Sequence, residues 1–427
     1  MKLEEYRAGE YKQGKGYKAF LPSNVNFDWT WEDTRLNYLL AEANRQIGEL
    51  NAYSLLLPNV DLYIKMHVKI EANKSSKIEG TKTTIEEDLS DLQDIDPEKR
   101  DDWEEVQNYV KATNYGISKI NDGFPVCNRL IRDMHKILLS GVRGEKKTPG
   151  EFRTSQNWIG GTMPSNAAYV PPLAEDLPNC LKDLEFFINN EEIGTPDLIK
   201  IAIIHYQFES IHPFLDGNGR IGRLLIPLYL QSKKYLDSPC LYMSFFFEKN
   251  RDLYYQKLND VRVKNDVIGW VKFFLEGVVE TTKIAKEKFK KVVELTRKVD
   301  AKISNLKVKY DNAKRIIDYF YNEPYSTRKK ITETLKMPES TVNGVIKELK
   351  SVNIIKETTG YSRNQIFVFS EYIEIFLSDW FMKWRIIKLY IERKKWKIRS
   401  IKMYGTKKVK NSFYKNVWNE KSEKFVL

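Results

Sequence analysis

I-H-P-F-L-D-G-N-G-R-I-G-R, at residues 211–223, is the stretch of the chain with the densest set of chemically useful residues. It holds one histidine, one aspartate, one asparagine, two arginines and three glycines. Residues 197–210 show apolar residues at helical spacing behind Pro196, and residues 221–229 are again apolar and helical in character. The stretch is therefore predicted to be a tight loop between two helices, and its last part begins the second helix.

A loop that leads into a helix suits an anion. The first N–H groups of a helix have no acceptor within the helix and carry a partial positive charge. Gly217 and Gly219 allow the backbone to approach an anion closely. Arg220 and Arg223 add donors that match phosphate oxygens. These residues indicate a site for a phosphate group.

Two further residues supply chemistry for such a site. Asp216 is a hard oxygen ligand for a magnesium ion carried by a polyphosphate, and His212 can accept a proton near neutral pH. The simpler alternatives are a structural histidine and an ordinary Asp-Gly-Asn-Gly turn. The glycines also spell G-x-G-x-x-G, but a dinucleotide-binding fingerprint needs a preceding strand. A helix is predicted there, so we reject a Rossmann-type site.

As a whole, the stretch resembles the signature of Fic-domain proteins, H-P-F-x-D-G-N-G-R-x-x-R, at every position. Most members of that family transfer AMP from ATP to a hydroxyl side chain of a protein. The resemblance implies that His212 is the general base and that Asp216 holds Mg²⁺. It also implies that the nucleotide is bound by an anion hole at Gly217, Asn218 and Gly219, by Arg220 and Arg223 at the β- and γ-phosphates, and by a loop that Phe214 anchors. A phosphorylating branch has lysine at the position of Gly219, which favours AMP transfer here.

E-A-N-K-S-S-K-I-E-G-T-K-T-T, at residues 71–84, is predicted to be the end of a helix that stops at Gly80. On its own, Glu79 there is an exposed carboxylate that is mildly unfavourable against the helix dipole. The segment resembles the inhibitory helix of Fic proteins, [S/T]-x-x-x-E-[G/N], with Ser75, Glu79 and Gly80 at the defined positions. The resemblance implies that Glu79 pairs with Arg223 and keeps the protein autoinhibited. Removal of AMP from the target is an open alternative.

Residues 148–172 are rich in glycine and proline, with short extended runs at 157–159 and 168–170, a pattern typical of a β-hairpin. A plain surface hairpin is the common case, but this one resembles the flap of Fic proteins. The resemblance implies that a target protein docks on residues 157–170 by adding a strand. Tyr254 and Tyr255 lie where relatives place tyrosines near the adenine, with core packing as the alternative for at least one of them.

The chain beyond residue 266 is predicted to begin with one long helix to about residue 306. Three short helices (314–321, 327–335 and 340–349, the last capped by Ser340) and a hairpin (354–358 and 365–369) then resemble a winged helix-turn-helix. Since two lysines and no arginine face outward from the third helix, a protein-contact or structural role is favoured over DNA binding through 340–350.

Most of the net charge of +12 comes from residues 378–427, which hold 15 Lys and Arg against 4 Asp and Glu. Aromatic residues among these cations suit an anionic surface such as RNA, DNA or lipid head groups, but a solvated end is the favoured interpretation. The chain shows no signal peptide and no run long enough to span a membrane, and its three cysteines are widely spaced. We therefore expect a cytoplasmic protein with free thiols and no zinc site.

Together these features predict a mostly α-helical protein: a Fic-fold helical bundle with a β-hairpin flap, plus a small winged-helix α+β domain. The predicted segments are an N-terminal helical domain with the inhibitory helix (1–100), a catalytic core (101–285), a connecting helix (286–310), a winged helix-turn-helix (311–377) and a basic aromatic tail (378–427). The resemblance implies Mg²⁺-dependent transfer of AMP from ATP to a Ser, Thr or Tyr hydroxyl. The alternative is a DNA-binding regulator that uses the Fic site as an ATP sensor. Self-modification and a homodimer are left open.

Overall fold

The computed structural model describes residues 1–55, 60–360 and 365–377 of the chain. The chain divides into two compact units, Met1–Tyr372 and Ile373–Leu427. The predicted basic tail, 378–427, lies outside the described residues.

Helices make up most of the first unit. Their bounds, in chain order, are α1 Thr34–Ser54, α2 Val60–Ile78, α3 Ile85–Asp88, α4 Arg100–Asn121, α5 Asn128–Leu138, α6 Leu177–Asn189, α7 Asp197–Ile211, α8 Asn218–Ser232, α9 Ser244–Lys249, α10 Arg251–Lys264, α11 Val267–Ile303, α12 Tyr310–Asn322, α13 Arg328–Leu335 and α14 Glu339–Ser351. The strands are β1 Gly9–Gln13, β2 Lys18–Pro22, β3 Tyr325–Thr327, β4 Lys356–Glu357 and β5 Ile366–Val368. The prediction of a mostly helical protein is confirmed.

Helices α7 and α8 form the centre of the core. Every residue from Leu198 to Ile211 is buried, and a helix that is apolar on all sides belongs inside a protein. The indole Nε1 of Trp270, on α11, donates to the carbonyl oxygen of Ala202 at 2.8 Å and fixes α11 against α7. The loop between α7 and α8 therefore begins and ends in buried helices.

The N-terminal segment contains a β-hairpin that we did not predict. Strands β1 and β2 pair antiparallel, with Tyr11 opposite Phe20. The backbone N–H of Phe20 donates to the carbonyl oxygen of Val170 at 2.9 Å, so the hairpin lies against the predicted flap. The flap itself is less regular than predicted, with one antiparallel bridge that joins Ile159 and Tyr169.

Helix α2 ends close to where the sequence predicted. The positive φ of Gly80, +103°, ends the helix because residues with a side chain rarely adopt it. Helix α1, before it, continues to Ser54. Residues 56–59 lie outside the described residues.

The C-terminal part begins with α11, the predicted long helix. Helices α12–α14 follow, with an antiparallel sheet in the order β3-β5-β4. The prediction that Ser340 caps α14 is wrong, because the helix begins at Glu339 after Pro338. Strand β3 was not predicted, and the winged helix-turn-helix stays a prediction. No helix of the described residues is long and apolar enough to cross a bilayer.

Candidate active site

His212 ends α7 in a left-handed conformation, with φ +48° and ψ +60°. This is an uncommon conformation for a residue with a side chain, and such strain often accompanies function. The ring Nδ1 lies 3.3 Å from the carbonyl oxygen of Glu209. Burial lowers the pKa of His212 to about 4, against the effect of that carbonyl. The neutral ring that donates through Nδ1 leaves the lone pair of Nε2 available for a proton.

Two residues of the predicted flap, Arg153 and Asn157, hold the loop by hydrogen bonds to its backbone. The guanidinium of Arg153 donates through Nε to the carbonyl oxygen of His212 at 3.0 Å. The Nδ2 group of Asn157 donates to the carbonyl oxygens of His212 at 3.1 Å and Phe214 at 2.7 Å. Both side chains are buried. Neither residue was predicted from the sequence to hold the loop, because their partners are backbone atoms more than fifty positions away.

Phe214, the residue expected from the resemblance to anchor the loop, lies in the core. It is fully buried, and its ring stacks on His135 with centroids 3.7 Å apart. Since Nδ1 of His135 accepts from the N–H of Gly150 at 2.8 Å, its Nε2–H donates to the carbonyl oxygen of Asp216 at 3.0 Å. Burial lowers the pKa of His135 to about 4. This second histidine is a structural part of the loop.

The predicted anion hole is partly occupied by the loop's own bonds. Gly217 has a φ of +77° and begins α8, and its N–H donates to Oδ1 of Asp216 at 2.5 Å. The side chain of Asn218 bonds at both ends to the backbone of Phe214, at 2.8 Å each. Asn218 therefore shapes the loop with its side chain, and only its backbone N–H remains to face a ligand at the start of α8.

Arg220 is buried and forms two ion pairs. Its Nη1 lies 3.0 Å from Oε2 of Glu105, and its Nη2 lies 3.3 Å from Oδ1 of Asp216. The side chain of Asp216 is 45% exposed. Mg²⁺ is commonly held by one carboxylate together with substrate phosphates, and the exposed Asp216 fits that role. In the part of the chain that the structure describes, no group of three or more His, Cys, Asp or Glu residues could hold a metal without such phosphates.

Arg223 is held by the end of α2. Its Nε donates to Oγ of Ser75 at 2.9 Å, and its Nη2 donates to the carbonyl oxygen of Ser75 at 3.0 Å. The same Nη2 lies 2.7 Å from Oε1 of Glu79. Burial would raise the pKa of Glu79, but the charge and hydrogen bonding of Arg223 lower it below its usual value. The structure thus brings together the residues predicted for the inhibitory contact.

The carboxylate of Glu79 lies directly over Gly219. A Cβ atom at position 219 would overlap Oε1 of Glu79 and would stand 2.9 Å from Nη1 of Arg223. The carboxylate thus stands at the N-terminus of α8, where the unpaired N–H groups favour an anion. Glu79 is 35% exposed, so it covers the position from the solvent side.

The two tyrosines predicted to contact adenine lie in different environments. Tyr254 is buried, and its hydroxyl donates to Nε2 of His205 at 2.9 Å, while Nδ1 of His205 donates to the carbonyl oxygen of Gly222 at 2.9 Å. Tyr255 is 40% exposed. Burial raises the pKa of its hydroxyl, and Glu79 raises it further. Tyr254 is therefore part of the core, whereas Tyr255 has surface available to a ligand.

The chain matches two family models. Residues 37–118 match the Fic/DOC family N-terminal model, and residues 125–230 match the Fic/DOC family model. The motif loop and α8 lie within the second range. Residues 71–84, with the end of α2, lie within the first.

Curated relatives share part of the chain. A protein named protein adenylyltransferase Fic from Drosophila erecta is 29% identical over 162 residues, which cover 37% of this chain and 31% of that protein. The protein of the same name from Drosophila yakuba is 30% identical over 162 residues, with the same coverage. The chain therefore matches about a third of the length of these relatives.

A solved structure shares the fold. The crystal structure of a Fic family protein from Desulfovibrio desulfuricans G20 aligns with a TM-score of 0.50 at 21% identity, and the alignment covers 81% of this chain and 98% of that chain. At this identity the likeness concerns the fold. Residues 37–118 and 125–230 of the chain are therefore similar to the Fic/DOC family, by two family models and by curated relatives.

Proposed function

We propose that the chain is a protein adenylyltransferase that moves AMP from ATP to a Ser, Thr or Tyr hydroxyl of a target protein, and that Glu79 keeps it autoinhibited. The observation that carries the proposal is the arrangement around one loop. A neutral histidine stands at its start, His212, and a carboxylate occupies the anion position at its end, bonded to Arg223. The matched relatives are named protein adenylyltransferases.

The chemistry follows from the loop. Nε2 of His212 takes the proton of the target hydroxyl, and the oxygen attacks the α-phosphorus of ATP. A new oxygen–phosphorus bond forms, and the bond from the α-phosphorus to the β-phosphate oxygen breaks, so that pyrophosphate leaves. The guanidinium groups of Arg220 and Arg223 neutralise charge on the β- and γ-phosphates. When bound, Mg²⁺ supplies further charge neutralisation, with Asp216 as its protein ligand.

The inhibition follows from charge and space. The carboxylate of Glu79 uses Nη2 of Arg223 and fills the volume over Gly219. A γ-phosphate would have to displace it, because two anions cannot share the same donors at that distance. ATP that binds beside it would lack the donor that aligns the triphosphate.

The test uses ATP labelled at the α-phosphate. We expect Glu79→Gly to raise covalent labelling of protein at least tenfold over the wild type, since it removes the anion from Arg223. His212→Ala in the Glu79→Gly background should abolish the label. Glu98→Gly, which changes an exposed glutamate of the same N-terminal region, is the matched control and should behave as the wild type.

Two results would contradict the proposal in different ways. Equal labelling by the wild type and Glu79→Gly would exclude autoinhibition by this contact. Absence of covalent label in Glu79→Gly, with ATP bound, would exclude AMP transfer. The reaction should be run in a lysate, and the label traced to a second protein, because labelling of the chain itself would report self-modification.

The target is proposed to dock on the flap, residues 157–170. Ile159 bonds to the other arm of the flap, where its N–H donates to the carbonyl oxygen of Tyr169 at 2.8 Å. Trp158, Ile159 and Met163 expose apolar surface on the flap. On the other side, Val170 is already bonded to the N-terminal hairpin. An added strand therefore has the arm at 157–159 as its free edge.

A further inference from the structure

Glu209 is a buried carboxyl group beside the candidate site that the proposed reaction does not use. It lies in the last turn of α7, three residues before His212, and is 8% exposed. Within residues 1–55, 60–360 and 365–377, its Oε1 has no hydrogen-bond partner. Buried polar atoms are almost always paired, so an unpaired one calls for a functional explanation.

The position of this carboxyl group depends on a glycine in α8. A Cβ atom at Gly222 would overlap Oε1 of Glu209 and would stand 3.1 Å from Cδ1 of Phe208. Glu209 therefore packs into a notch that the absence of a side chain at 222 creates. The next residue along α8 is Arg223, so the carboxyl group lies beside the turn that carries the proposed γ-phosphate donor.

Charged groups from three elements face Glu209. Burial raises the pKa of its carboxyl group to about 7, Arg223 from α8 and Arg262 from α10 lower it, and Glu79 from the end of α2 raises it. The neutral ring of His212 is the titratable group one turn away. Glu79 is bonded to Arg223, whereas no ion pair joins Glu209 to Arg223 among the described residues. Two carboxyl groups thus face one guanidinium, and one of them holds it.

We propose that Glu209 positions Arg223 and tunes triphosphate binding: its carboxylate becomes the counter-ion of Arg223 when Glu79 leaves, and it competes with the phosphates for that guanidinium. This inference rests on the proposed function of the site. It adds that, once Glu79 has left, the carboxylate of Glu209 stays in the site and opposes the binding of a triphosphate.

The competition predicts the direction in which the affinity for ATP changes with pH, and this direction can be measured. The negative phosphates favour the protonated form of Glu209, so binding of the triphosphate takes up a proton there. A group that is protonated on binding weakens binding as the pH rises through its titration range. Loss of Glu79 removes a charge that raises the pKa of Glu209, so the fall in ATP affinity between pH 6 and pH 8.5 should be steepest in the lower part of that range. It should be smaller when position 209 cannot ionise.

The experiment measures the dissociation constant of ATP by calorimetry from pH 6 to pH 8.5. The proteins compared are Glu79→Gly and Glu79→Gly with Glu209→Gln. We expect the ratio of their dissociation constants to change roughly three- to tenfold across that range, since Glu209 takes up less than one proton on binding and only over part of the range. Titration of ATP itself is common to both proteins and cancels in the ratio.

Two further variants separate positioning from a structural role. Glu79→Gly with Glu209→Asp keeps an ionisable group and should keep the pH dependence. Glu79→Gly with Asp88→Asn is the matched control, because Asp88 is another buried carboxyl group whose pKa is raised to about 7, by burial, away from Arg223. It should behave as Glu79→Gly does. Thermal unfolding confirms that each variant is folded.

The outcomes are distinguishable. Equal pH dependence in Glu79→Gly and in its Glu209→Gln derivative would overturn the role of Glu209 and leave the proposed function intact. If Glu79→Gly binds no ATP at any pH, the proposed function fails together with this inference.

Discussion

The loop between α7 and α8 and the end of α2 face each other across the candidate site, but they are held in different ways. The loop is held by neutral and cationic donors from the core, since Arg153, Asn157 and Asn218 all donate to its backbone carbonyl groups. The end of α2 is held to the loop by the contacts of Arg223 with Ser75 and Glu79.

The end of α2 and the segment just after it also contain buried oxygen atoms without hydrogen-bond partners among the described residues. They are Asn73 Oδ1, Ser76 Oγ and Thr81 Oγ1. Each unpaired buried group lowers the stability of the conformation that buries it. Buried unpaired atoms also lie beside the loop among the described residues, such as Asn157 Oδ1 and Arg220 Nε. The contrast therefore lies in the attachments: several side chains hold the backbone of the loop, whereas Arg223 joins the loop region to the end of α2.

The largest expected effect concerns Glu71, which attaches the buried side of α2 to its neighbours. Glu71 is buried, and it accepts from the hydroxyl of Tyr109 at 3.3 Å and the N–H of Ser244 at 3.1 Å. Burial raises its pKa to about 7. The unfolded chain releases this proton near pH 4.5, so the contribution of Glu71 to stability is complete below that pH and is lost as the pH rises through about 7.

Glu71→Gln should remove this loss. Between pH 5 and pH 8.5 the wild type should lose about 3 kcal/mol more unfolding free energy than the variant does. Denaturant unfolding at several pH values measures the difference. Parallel curves for the two proteins would show that Glu71 does not titrate in the folded protein.

Breaking the support of the loop should have the next largest effect. Asn157→Ala removes the donor to the carbonyl oxygens of His212 and Phe214. We expect a loss of about 2 kcal/mol, which corresponds to roughly thirtyfold slower label transfer in the Glu79→Gly background.

The matched control for this variant is Asn166→Ala. Asn166 bonds within the flap, to Thr162 and Met163, and its loss should leave the loop in place. Transfer by a folded Asn157→Ala protein at the Glu79→Gly rate would show that the loop needs no support from the flap.

Ser75→Ala sharpens the comparison on the α2 side. It removes the acceptor for Nε of Arg223, at a cost of about 1 kcal/mol. If the proposed autoinhibition holds, we expect roughly fivefold more label transfer than by the wild type. Ser76→Ala is the matched control on the same helix, because its hydroxyl is buried with no hydrogen-bond partner in the described part of the chain. Equal rates for the two variants would argue against a role of Ser75 in inhibition.

The smallest expected effect comes from the contact between α2 and the C-terminal part. Nζ of Lys69 lies 3.3 Å from both carboxylate oxygens of Glu323, just beyond α12. A partly exposed ion pair is worth less than about 1 kcal/mol. Lys69→Glu and Glu323→Lys should therefore each raise label transfer about twofold, and the double variant should return to the wild-type rate.

The matched control is the same exchange at Lys2 and Glu32, an exposed pair at 2.7 Å that does not involve α2. Transfer should be unchanged there. If the double variant at Lys69 and Glu323 fails to restore inhibition, the two residues do not act as a pair.

The sequence predicted the structure best where a run of polar residues and glycines lies between two apolar helical patterns. The loop at 211–217, the start of α8 and the end of α2 at Gly80 were predicted from such patterns. The support of the loop by Arg153 and Asn157 was not, because donors to backbone carbonyl groups need no sequence pattern near their partners. Their roles emerge when the chain is folded.

Two other differences have similar causes. Tyr254 and Tyr255 are adjacent and chemically alike, and only the packing of α10 assigns one to the core and the other to the site. The hairpin of β1 and β2 was missed although Gly14 and Gly16 mark its turn. Strand β1 is largely exposed, so its residues lack the alternation that identifies a half-buried strand.

The missing side chain at position 219 gives a criterion for other chains of this kind. A methyl group there would overlap the carboxylate of Glu79, so a chain with alanine at this position would have to move that carboxylate away from the start of α8. Natural sequences that hold the glutamate in this place should therefore keep the glycine with it.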